Sequence, residues 1–147
     1  MLLAIAFVLN TFLMIVAILL HYESLNYLDK TLKRLNHVKP RFKVLYGVAV
    51  IFAIHIVEIW LFGLGFYISL QIDGMGTLIG GTSQLFLDCV YFSFVTYTTV
   101  GYGDLVAQGT LRYLTGVEAL TGLILITWSA SFFFIEMQRY WSNDKKN

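Results

Sequence analysis

Thr99-Val100-Gly101-Tyr102-Gly103-Asp104 is the stretch on which the reading of this chain turns. For every carbonyl in such a run to face one way, neighbouring residues must alternate between right-handed and left-handed backbone. A Cβ is penalised on the left-handed side and glycine is not, which is what Gly101 and Gly103 supply. A row of carbonyls built this way can replace the water shell of a dehydrated cation, with the Thr99 hydroxyl completing the innermost site. Val100 and Tyr102 then turn their side chains away from the axis, into the protein, where they can brace the loop. One loop gives one carbonyl per level, and the 147 residues hold one copy. Four chains must therefore meet around an axis, which predicts a homotetramer with one domain per subunit.

Working outward, Gln84 to Thr98 is apolar and aromatic and ends directly in the hexapeptide. As a helix it covers about half of the ~30 Å hydrocarbon thickness, so it reads as a re-entrant pore helix. Non-helical backbone at membrane depth is tolerated where protein buries it or where it lines a water-filled path. Three flanking stretches are long enough to span: Leu2 to Leu20, Val44 to Leu70 and Tyr113 to Ile135. The composition agrees, with 58% hydrophobic and 13% charged residues, against roughly 25% charged in soluble domains. The expected fold is an all-α integral membrane protein with three transmembrane helices, a pore helix and a filter loop. A net charge of +1 gives no footprint for nucleic acid. The single Cys89 excludes an internal disulfide framework and reads as a small packing residue.

Sidedness follows from the basic residues, since cytoplasmic loops retain lysine and arginine. Lys30, Lys33, Arg34, Lys39, Arg41 and Lys43 fill the first connection, and Arg139, Lys145 and Lys146 follow the last span. Residues 71 to 110 contain Asp73, Asp88 and Asp104 but no basic residue. This puts the N-terminus outside, the C-terminus in the cytoplasm and the pore loop facing outward, in a multi-pass protein of the plasma membrane, or the cell inner membrane of a bacterium. The first span lacks the basic start and small-residue cleavage site of a signal peptide, so it is read as retained. Leu25, Leu28, Leu32 and Leu35 share a face opposite Asp29, Lys30, Lys33 and Arg34, which predicts an interfacial helix over 24–38. Its basic face either attracts anionic lipid or simply anchors topology. Pro40 breaks that helix before the second span, and Gly74, Gly76, Gly80 and Gly81 make an outer loop of turns.

Residues 44–136 resemble the pore module of bacterial potassium channels: outer helix, pore helix, filter and inner helix. The hexapeptide matches the family signature without substitution, Thr98 adds the second threonine, and Tyr91-Phe92 occupy the place of two pore-helix aromatics. The resemblance implies passive potassium conduction, with K+ held at Thr99, Val100, Gly101 and Tyr102, Gly103 completing the filter, and Asp104 at the outer mouth. It implies filter support from Tyr91 and Phe92, which with Tyr102 form a cuff. It makes Gly122 a hinge in the inner helix, although a packing role is equally open to a glycine in a membrane helix. Leu123, Ile126, Ala130 and Phe134 would line a cavity below the filter. Two departures stand out. Val95 occupies the position where some members place a glutamate bonded to the filter acid, leaving the Tyr91 hydroxyl as the candidate partner of Asp104. An extra helix in residues 1–43 precedes the module, and residues 137–147 read as a short tail.

His55, Glu58 and Glu118 are ionisable groups inside the spans, where such groups are costly and become functional candidates. His55 and Glu58 share a helix face, as a polar clamp between helices or as a proton sensor. Glu118, near filter depth, is assigned to structural support of the pore helix. No nucleophile-base set, metal-ligand spacing or phosphate loop marks an enzyme, and no cofactor is expected beyond permeant K+. Two rival readings remain: a non-conducting accessory or sensor subunit, and a proton-coupled transporter using His55 and Glu58. The latter would bind its substrate between repeats, and the chain shows none.

Overall fold

The computed structural model describes residues 1–35, 38–80 and 86–144. In chain order the elements are α1 (Leu2–Arg34), α2 (Pro40–Leu70), β1 (Leu78–Ile79), α3 (Phe86–Tyr97), β2 (Val106–Ala107) and α4 (Leu111–Asp144). Helices α1, α2 and α4 are each long and apolar enough to cross a membrane, and α3 is the shorter apolar helix among them. The expected start of the pore helix at Gln84, and Gly81, Lys145 and Lys146, lie outside the described residues.

The first 43 residues depart from expectation. Instead of a span followed by a separate interfacial helix, α1 is one helix of 33 residues, about 50 Å long at 1.5 Å per residue. Its buried positions run Ala6, Asn10, Leu13, Ala17, His21, Leu25, Leu28 and Leu32, a single stripe at helical spacing that continues through the point where a break was expected. Leu25, Leu28 and Leu32 pack with Ile51 of α2, and with Phe132 and Phe133 of α4 beside them. The leucine face therefore meets protein, not the leaflet. Lys33 and Arg34 occupy the last turn, where a basic group suits the negative end of the helix dipole. Pro40 stands at the first turn of α2, the one place where its missing N–H costs nothing, so it starts a helix as well as separating two.

Helix α3 lies between α2 and α4. The main core joins Leu13 and Ala17 of α1, Phe62 and Phe66 of α2, Phe92 and Val95 of α3, and Leu114 and Leu125 of α4. Small residues let these helices approach, as they must where lipid supplies no hydrophobic driving force. A Cβ on Gly63 would lie 2.9 Å from Val90 Cα, and one on Gly65 would lie 2.4 Å from a Leu13 methyl. The loops on either side of α3 also pair: β1 and β2 form an antiparallel ribbon with Leu78 opposite Ala107 and Ile79 opposite Val106. That ribbon, absent from the sequence reading, ties the segment before α3 to the chain leaving the hexapeptide. Helix α4 runs well past Ile135, so most of the expected tail is helical.

Candidate functional site

The hexapeptide leaves the C-terminal end of α3 and never becomes helical. Its φ angles are positive at Thr99 (58°), Gly101 (54°) and Gly103 (79°), while Val100 and Tyr102 are not among the positive-φ residues. The sign thus alternates along five consecutive residues, and a carbonyl row facing one way requires this alternation. Thr99 is the one non-glycine residue with positive φ among the described residues. Two backbone bonds hold the turn: Thr99 N–H donates to the Thr96 carbonyl at 2.9 Å, and Gly101 N–H to the Val95 carbonyl at 3.0 Å. Val95 offers no carboxylate to Asp104, yet its backbone carbonyl holds the loop.

Val100 and Tyr102 do not brace the loop within their own chain. They are 54% and 74% exposed, and an open groove of about 470 Å³ runs beside them, lined in part by Phe92, Thr96, Thr99, Gly101 and Gly103. The expected cuff accordingly divides. Phe92 is buried against Phe66, edge to face at 5.0 Å, whereas Tyr91 stays exposed and its hydroxyl donates to Asp104 Oδ2 at 2.7 Å. Leu123, Ile126, Ala130 and Phe134 all lie on an exposed face of α4.

Behind α3, Glu118 is fully buried. The Ser93 hydroxyl of α3 bonds to Glu118 Oε1 and lies 2.7 Å from the Ile59 carbonyl, which joins α2, α3 and α4. Glu118 Oε2 is buried with no hydrogen-bond partner among the described residues. Helix α4 is continuous through Gly122, and close contact is what the fold requires of that residue. A Cβ there would lie 2.3 Å from the Tyr97 carbonyl oxygen and 2.9 Å from its ring. In this conformation Gly122 serves close packing against Tyr97.

His55 and Glu58 belong to a larger group. Glu58, fully buried, accepts from His21 Nδ1 at 2.9 Å through Oε1. Its Oε2 lies 3.0 Å from His55 Nδ1 and accepts the Tyr97 hydroxyl. Ser129 Oγ closes the ring, 3.3 Å from His21 Nε2 and 3.2 Å from His55 Nε2. Five side chains from α1, α2, α3 and α4 thus form one polar cluster, and Tyr97 stands two residues before Thr99. Sequence reasoning missed His21, Tyr97 and Ser129. His21 falls just beyond the expected end of the first span, but its place in the Leu13, Ala17, Leu25, Leu28 stripe is a signal of burial that spacing carries.

An ion channel family model matches residues 44–139, from α2 through most of α4. The chain belongs to the ion channel family. Two-pore potassium channel 4 of Arabidopsis thaliana is 46% identical over 48 residues, covering 32% of this chain and 17% of that relative. No solved structure matches. The family match and the three helices long and apolar enough to cross a membrane make the chain a multi-pass membrane protein, and α1 lies outside the matched region.

Proposed function

We propose that this ion channel conducts potassium selectively and passively, as a homotetramer whose filter is Thr99 to Gly103. The carbonyls of Thr99, Val100, Gly101 and Tyr102, with the Thr99 hydroxyl, hold the dehydrated ion, and Asp104 concentrates cations at the mouth. The observation that carries the reading is the alternation of φ sign from Thr99 to Gly103, which a row of carbonyls facing one side requires. Two further facts support it. Val100 and Tyr102 are exposed beside an open groove, as expected where neighbouring copies complete the packing. The matched segment of the plant relative belongs to a protein called a potassium channel. The basic residues orient the chain with its N-terminus outside and its C-terminus in the cytoplasm of a plasma membrane.

The experiment is purified protein in liposomes, with the reversal potential measured under opposed potassium and sodium gradients. A potential near that of potassium is expected. Equal permeability to both ions would overturn the filter assignment, silence would favour the accessory-subunit reading, and flux coupled to protons would favour the transporter.

A further inference from the structure

We propose that His21, His55 and Glu58 form a binding site for a divalent transition-metal ion of the zinc class, which ties α1 to the pore module. The three residues each offer one ligand atom, and these atoms all lie within 4.8 Å of one another. Two imidazoles and one carboxylate are a borderline-soft donor set. It suits zinc and its neighbours and is poor in the oxygens that calcium or magnesium would need. Ligand bonds of about 2.0–2.2 Å place tetrahedral ligands roughly 3.3–3.5 Å apart. The Glu58 oxygens stand 2.9 and 3.0 Å from the two Nδ1 atoms, one oxygen to each ring, so an ion would displace the protons these contacts hold and draw together ligand atoms that now lie within 4.8 Å of one another. Tyr97 Oη, 3.0 Å from His55 Nδ1 and bonded to Glu58, stands beside the fourth position.

The surroundings fit as well as the ligands. A metal-bound imidazole usually gives its other N–H to a fixed acceptor, which sets the tautomer and the ring orientation. Here both rings turn Nδ1 toward Glu58 and Nε2 toward the same Ser129 oxygen. With an ion between the Nδ1 atoms, each Nε2 carries its hydrogen and the two lone pairs of Ser129 Oγ accept both. Glu58 and His21 are fully buried, while His55 is partly open. The ligands come from α1 and α2, 37 residues apart between His21 and Glu58, so no spacing in the sequence announces them.

The test is direct binding to the full chain, a readout independent of whether it conducts. Protein stripped with a chelator is titrated with zinc chloride while bound zinc and thermal unfolding are followed. Cobalt(II) serves as a spectroscopic probe. We expect one ion per chain, a rise in unfolding temperature with zinc, and visible cobalt bands of tetrahedral intensity. His21→Ala should abolish saturable binding, with His21→Gln as the milder variant should the alanine protein fail to fold. Ser129→Ala should weaken it by roughly 10-fold or more, and Glu23→Gln, at an exposed position of α1, should leave it unchanged. Absence of saturable zinc binding, or equal binding by wild type and His21→Gln, would overturn the proposal and leave a network held by protons alone.

Discussion

The hexapeptide loop and the polar cluster behind it lie a few residues apart and are built on opposite terms. In the loop, Val100 and Tyr102 are exposed and backbone bonds to Thr96 and Val95 hold the turn. In the cluster, His21 and Glu58 are wholly buried and one chain supplies partners from four helices. The loop leaves its side chains open, whereas the cluster encloses its own. In the filter proposed above, a carbonyl row would leave its lone pairs free for a passing ion and so would not satisfy them at home. Buried polar groups away from water must be satisfied at home or they destabilise the fold. Tyr97 joins the two, with its hydroxyl in the cluster and its carbonyl close against Gly122.

Substitutions can break this contrast, and the largest effect is expected in the loop. Gly101→Ala places a Cβ at φ 54°. At about 1–2 kcal/mol per chain, the proposed tetramer would carry roughly 4–8 kcal/mol of strain in one ring. Potassium-selective flux in liposomes should be lost while the unfolding temperature of the separate chain stays near wild type. Unchanged discrimination against sodium would remove the loop from the ion path. Next is Glu58→Leu, which strips the buried imidazoles of their shared acceptor and should cost about 3–5 kcal/mol. Chemical denaturation in detergent checks it, and a loss below about 1 kcal/mol would mean the cluster is not the self-contained unit described.

Gly122→Ala drives a methyl group against the Tyr97 carbonyl. It should destabilise by about 1–3 kcal/mol, visible as a lowered unfolding temperature. A variant as stable as wild type but altered in open time would instead restore the hinge reading. Tyr91→Phe removes one exposed hydrogen bond to Asp104, so its effect on stability should be slight. Conducting lifetime should shorten with selectivity retained, which separates holding the loop from choosing the ion. Smallest is Lys33→Ala, at an exposed pair with Asp29, expected to change stability by less than about 1 kcal/mol.

Much of the architecture was legible because membrane insertion leaves strong marks: long apolar runs, basic residues gathered on one side, and a short aromatic segment ending in a glycine-bearing motif. The interfacial helix was misread for a definite reason. Leu25, Leu28 and Leu32 carry the same pattern whether they face lipid or α4, and only the neighbours show which. Gly122 was ambiguous in the same way, since a hinge and a close contact both require the absence of a side chain. The β1–β2 ribbon of two residues per strand is too short for any alternation to show.

By itself the sequence determined which segments cross the membrane and where the backbone must alternate in hand, since both depend on local residue types. What the tertiary structure alone decided is which side chains meet across helices. His21, Glu58, Tyr97 and Ser129 are distant in the chain, and no local preference brings them together. Their meeting is set by the packing of α1 against α2 and α4 and by the close approach of α3 that Gly63 and Gly122 permit. Buried polar groups then had to pair with whatever that packing delivered.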